Sequence, residues 1–203
     1  MPAILPAALG TLALLIATNI AQNGSADHAV PRVKSLECAR ALASKADFVA
    51  AWRAGAMPSC YGGNKYQGYL ISLGVLAPVT AFITNVLFAP SAAGLSRAWH
   101  GKSFAADGKS GTNRFGRSGK VVGRGFCASV GQSFIDDCDA LVLDYSCAAH
   151  GDALWGQTLF MRDELREVAP GVLFGLGSMG ATGGMWNCTP FVLIPVEEGK
   201  DEA

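Results

Sequence analysis

Residues 157–168 (QTLFMRDELREV), followed by Ala169, Pro170 and 171–178 (GVLFGLGS), decide how the second half of this 203-residue chain folds. Taken alone, MRDELREV has the composition of a helix. Its flanks read as strand, however, and Pro170-Gly171 is the signature of a type II turn. The prediction is therefore two antiparallel strands joined by that turn. Alternate residues of a strand share a face. Arg162, Glu164 and Arg166 then form one row, and Met161, Asp163, Leu165 and Glu167 the opposite one.

Working outward, further short runs rich in β-branched and aromatic residues lie between Gly-rich turns. They predict strands at 97–105, 120–131, 139–146 and 189–196, with FIDDCD (134–139) as a charged turn. Strands at this spacing fit an antiparallel sheet curled into a barrel or sandwich. Its shape is loosely lipocalin-like, with Trp99 near the first strand and a meander after it. Upstream, SLECARALASKADFVAAWRAGAMP (35–58) is Ala-rich and predicts helix. Ser44 and Asp47 have capping-box spacing, and Gly55 with Pro58 marks a stop. Leu42, Val49 and Trp52 fall near one face of that helix.

Two long stretches carry no charge: Met1 to Ala26, and Tyr66 to Ser96. A bilayer core takes about 20 apolar residues as a helix, so each is long enough to cross. The first reads as a retained anchor, a signal segment or a buried helix. It lacks the basic n-region of a signal peptide. The second, interrupted by Gly74 and Pro78, reads as a membrane span or as a buried or interfacial element. If both span, the Lys/Arg bias places 27–65 on the cytosolic or equivalent side and the C-terminal half opposite. The fold class expected is α+β. An apolar helix over 1–26 precedes a helical region over 27–96 with a second apolar helix. An antiparallel β domain fills 97–203.

Charged residues make up 16% of the chain, below the usual level of about 25%. Formal net charge is zero, which gives no electrostatic case for nucleic acid. Gly175-Leu-Gly177-Ser-Met-Gly180 matches a dinucleotide fingerprint in spacing only. Too little chain follows for the required βαβ unit, so these glycines are expected to allow tight bends or close packing. The Gly-Lys-Ser triplets at 101–103 and 108–110 lack the earlier P-loop glycine. The stretch 107–120 reads as a solvated loop, or as one that touches an anionic lipid headgroup. No G-x-S-x-G is present, the three histidines have no ligand spacing, and C-x-x-C is absent. Four of the six cysteines (Cys127, Cys138, Cys147, Cys188) lie in the β-rich half. They read equally as disulfides of undetermined pairing or as buried thiols.

The candidate ligand-binding residues are Trp99, Asp144, Arg162, Glu164 and Arg166, with no catalytic and no metal-ligating residue named. An Arg-Glu-Arg row turned inward would need pairing, and would make a polar ligand site or an ion network; turned outward it is a solvated face. The function expected is that of a non-catalytic membrane-anchored protein. It would serve as an accessory subunit of a larger membrane complex, or bind an apolar molecule such as a lipid or pigment. One alternative is an enzyme acting on a lipid or isoprenoid in a barrel pocket, with Asp144 and the Arg162 row supplying charge. Another is a soluble lumenal or secreted binding protein. The location expected is an organellar membrane such as the thylakoid, or the secretory pathway, with the β domain on the non-cytosolic side.

Overall fold

In the computed structural model the described residues are 36–71, 73, 98–116, 118–147, 157, 159–180 and 183–196. Eight strands follow one another in space in chain order and close on themselves, each antiparallel to its neighbours. They are β1 (Lys65–Leu70), β2 (Trp99–Phe104), β3 (Ser110–Phe115), β4 (Val121–Gln132), β5 (Asp139–Asp144), β6 (Met161–Ala169), β7 (Val172–Met179) and β8 (Thr189–Pro195). Closure comes from β1, which pairs β2 on one side and β8 on the other. The eight-stranded meander is consistent with the expected lipocalin-like barrel. Eight strands enclose a space that side chains can fill. Connections β1–β2, β3–β4, β5–β6 and β7–β8 lie at one end, the upper rim. The β2–β3, β4–β5 and β6–β7 turns lie at the other, the lower rim.

Six of the strands fall where the sequence places them, and MRDELREV is strand. Gly171 takes φ +74°, as the Pro-Gly turn requires. Two strands depart from expectation. Residues 65–70 belong to the barrel rather than to a second apolar helix, so the β structure begins before 97. Gly68 explains part of this: a Cβ there would sit 2.4 Å from the Trp99 indole. Residues 110–115 are strand β3 rather than part of a solvated loop. The usual signal is weakened because, beside Phe115, the inward positions are Gly111, where a Cβ would strike the Phe126 ring, and Asn113, which is buried.

Among the described residues two helices precede the barrel, α1 (Leu36–Arg40) and α2 (Lys45–Arg53). Ser44 caps α2 by accepting the Asp47 N–H at 3.2 Å. Phe48, Val49 and Trp52 on one face of α2 pack with Leu42 against the outer wall, among Phe174, Leu176 and Val192. Phe48 stacks on Phe174 with centroids 4.3 Å apart. Residues 57–61 then cross the lower rim, where Met57 and Tyr61 meet the interior cluster. The segment from α1 to β1 is thus packed on the barrel, and it cannot lie across a membrane from the C-terminal half. That corrects the topology read from charge bias. Among the described residues no helix is long and apolar enough to cross a membrane. The apolar stretch 1–26 and most of the second lie outside the described residues. A disulfide joins Cys127 of β4 to Cys147, just beyond β5.

Two carboxylates hold the lower rim. Burial alone would raise the Asp136 carboxyl, but hydrogen bonds from Arg166 and the Cys138 N–H, with the charges of Arg166 and Arg53, bring it below its ordinary value. Glu167 is lowered by the Gly171 N–H, against burial, with help from Ser59. A depressed carboxylate stabilises the fold fully above its unfolded value, and that stability is lost as pH falls through the folded one. The ordinary values here are 3.8 and 4.5. Stability should therefore be flat with respect to these groups above pH ~5 and fall as the solution is acidified below it. In Asp136→Asn/Glu167→Gln, urea titrations across that range should give a shallower acid slope.

Candidate functional site

The two rows of β6 face opposite sides, as alternation predicts, and they serve different purposes. The row Arg162, Glu164, Arg166 lies on the outside of the barrel yet is largely covered, Glu164 completely. Glu164 accepts from Ser133 Oγ at 2.6 Å, from the Phe134 N–H at 3.1 Å and from Arg162 Nε at 2.9 Å. Arg166 grips Asp136 through two parallel bonds of 2.7 and 2.8 Å. It also donates to the Arg53 carbonyl at the end of α2 and lies over the Trp52 ring, 4.1 Å from its centroid. This row is an ion network that fastens the β4–β5 turn and α2 to the wall. Asp144 is exposed and caps a turn by accepting from the Ser146 N–H and Oγ.

Trp99 alone of the expected residues points inward, and there it meets a cluster that the sequence reading did not single out. Lys102, 2% exposed, places its Nζ 2.9 Å from Asn113 Oδ1, 2.6 Å from Tyr145 Oη and 2.8 Å from Asp163 Oδ2. An ammonium has three protons, and here three acceptors. Tyr145 donates to Asp163 Oδ2 at 2.7 Å. Asn113 accepts from Trp99 Nε1 at 2.9 Å and donates to the Arg124 carbonyl at 2.8 Å and to Tyr145 Oη at 3.3 Å. The hydrogen-bonding capacity of Lys102, Asn113 and the Tyr145 hydroxyl is fully used within the cluster.

Four rings surround the ammonium: Trp99, Phe126, Tyr145 and Phe191, with centroids 5.2–5.5 Å from Nζ. Tyr145 meets the cation through its hydroxyl, and the other three rings offer it polarisable aromatic surface. Glycines make room for three of them. Gly68 lies behind Trp99, Gly111 behind Phe126 and Gly175 behind Phe191, each so close that a Cβ would come within 2.6 Å of the ring. Burial lowers the Lys102 pKa, and the adjacent Asp163 opposes that shift. Burial and the Asp163 charge hold the Tyr145 phenol well above its usual value, so it stays a neutral donor.

A register shift explains why Lys102 was missed. Strict alternation puts Trp99 and Lys102 on opposite faces, since they are three residues apart. The ladder between β2 and β3 slips between Trp99 and Gly101, and Gly101 adopts φ +145°. This bulge returns both side chains to the interior. A second shift, between Gly111 and Asn113 on β3, accompanies Arg124 at φ +52°, the residue whose carbonyl faces Asn113. Asp163 did carry a signal. It sits in the same inward row as Leu165, and a carboxylate in an apolar row needs a cation.

Among the described residues no three His, Cys, Asp or Glu side chains gather in a way that could hold a metal ion. Compared with protein-family models, curated proteins and solved structures, the chain matches none. The cluster's own geometry therefore carries the reading of the site. Removing one partner of a buried ion pair costs about 3–5 kcal/mol, whereas replacing the whole set by apolar groups is often neutral. Asp163→Asn should lose stability on that scale in urea unfolding. Lys102→Met/Asp163→Leu/Tyr145→Phe should recover most of the loss.

Proposed function

We propose that this chain is a non-catalytic membrane-associated protein whose barrel is a packed platform, acting as an accessory subunit of a larger membrane assembly. The observation that carries this reading is the connection between β1 and β2. Neighbouring antiparallel strands are commonly joined by 2–5 residues. Here the connection runs from 71 to 98 and is uncharged as far as Ser96. Leu70 and Trp99 end and begin adjacent strands, so the chain leaves and returns at the same rim. A single crossing would deliver it to the other side, and two would need about 40 residues. A connection of this length and composition suits contact with a bilayer from one side.

The interior supports a platform over a vessel. From Tyr61 at the lower rim, edge-to-face contacts run through Phe104 and Phe126 to Tyr145, with centroids 5.2–5.7 Å apart. The polar atoms of Lys102 and Asn113 are committed to one another and their neighbours. A second reading, an apolar-ligand carrier, is favoured by one fact: Lys102, Asn113, Tyr145 and Asp163 are a polar island in an aromatic wall. A lipid or pigment with a polar head would meet it there, and an enzyme acting on such a molecule would use the same groups.

Native mass spectrometry of the full chain, released gently from membranes, separates these readings. The platform reading expects migration with a larger assembly and no stoichiometric small molecule on the isolated chain. One apolar molecule per chain, lost from Lys102→Met/Asp163→Leu/Tyr145→Phe, would establish the carrier instead.

A further inference from the structure

The two rims differ in chemistry. Phe160 (72% exposed), Trp186 (64%) and Val122 (59%) are three of the five most exposed large apolar residues among those described. All three stand at the upper rim: Phe160 before β6, Trp186 in the short 3-10 helix Gly184–Asn187 before β8, and Val122 at the start of β4. Of the other two, Val130 lies toward the lower rim, and Phe134, 64% exposed in the β4–β5 turn, has the Arg162 guanidinium 4.1 Å from its ring centroid. Phe160 is held outward at some cost. It adopts φ +50°, a conformation that L side chains rarely take, and Gly180 both donates to its carbonyl at 3.2 Å and lies under its ring. Strain of this kind persists where the surroundings impose it.

Charge divides the same way. The four upper connections contain three basic residues, Arg97, Arg117 and Lys120, against one acidic residue, Asp152. At the lower rim the turns carry Asp107, Asp136 and Asp137 against Lys109, and an acidic sequence (EEGKDE, 197–202) follows β8. The uncharged run 71–96 belongs to the connection between Leu70 and Trp99, which stand at the upper rim. Aromatic residues beside basic ones, next to a long uncharged segment, are the composition of a bilayer interface.

We propose that the upper rim rests on the surface of a lipid bilayer. Phe160 and Trp186 enter the boundary between headgroups and acyl chains, Lys120 faces anionic headgroups, and the barrel axis stands away from the membrane with the acidic rim in water. This rests on the membrane reading above and adds the face and the anchoring residues.

The test uses the full chain with vesicles of phosphatidylcholine and phosphatidylglycerol, in which the phosphatidylcholine is brominated along its acyl chains. Trp186→Phe reports which part of the tryptophan quenching comes from Trp186. Quenching that falls in Trp186→Phe, and that weakens in Phe160→Asp or when phosphatidylglycerol is omitted, is the expected result. Both positions are exposed, so unchanged circular dichroism should accompany it. Vesicle flotation with no bromine quenching from Trp186, and with free access of aqueous iodide to it, would overturn the orientation while leaving membrane association intact. Shielding of Trp186 from both bromine and iodide would also overturn it, pointing to a protein partner on the rim. Failure to float at all would remove the membrane reading together with this proposal.

Discussion

The ion pair between Lys102 and Asp163 is the constraint on which the rest of the barrel depends. It spans the interior from β2 to β6, and through Asn113, Tyr145 and the Arg124 carbonyl it also engages β3, the end of β5 and β4. A cation in an apolar interior is tolerable only if its protons are satisfied and its surroundings polarisable. Both conditions are met here by specific neighbours. The acceptors satisfy the protons, and the surrounding rings, Trp99, Phe126 and Phe191 among them, supply polarisable surface. The rings fit only because Gly68, Gly111 and Gly175 leave space behind three of them. A change of register by one residue would exchange the inward and outward rows and expel the pair from the core. The network therefore pins register as well as filling space.

Strand β6 shows how one sequence serves two layers. Its inward row carries Asp163 to Lys102 and Leu165 to the core. Its outward row, Arg162, Glu164 and Arg166, holds the β4–β5 turn and α2. The charges on that outer row are paired at close range, so they act as fasteners rather than as a solvated face. The disulfide between Cys127 and Cys147 ties β4 to the chain beyond β5 close to Tyr145. It limits the freedom of the segment that delivers the phenol to the network.

Much of the barrel was legible because its signals are local. Alternation and turn residues placed six strands, including the ambiguous MRDELREV, and Pro170-Gly171 closed the hairpin. The Ser44 cap and the buried face of α2 were legible for the same reason. Strands β1 and β3 were not, because Gly68, Gly111 and Asn113 interrupt their inward apolar residues, Tyr66 and Phe115, and small or polar side chains read as loop. The interior cluster was hidden for a different cause. It is assembled from five parts of the barrel, and the bulge at Gly101 breaks the alternation that would have aligned Lys102 with Trp99. Only Trp99 was named in advance. Asp144 and the Arg162 row were identified as charged and notable, but their partners could be assigned only once the turn 133–138 and α2 were placed beside them.

A saturated interior network describes a barrel whose centre is filled and fully partnered. The central claim is that the Lys102 side chain is enclosed, and graded acetylation of lysines in the folded full-length chain, read by peptide mass spectrometry, tests it most directly. Exposed Lys109 and Lys120 should react early, while Lys102 stays unmodified until the chain is unfolded, and it should become reactive in Asp163→Asn. Modification of Lys102 in the folded protein at the rate of Lys109 would contradict a buried, fully partnered ammonium at the centre of the barrel.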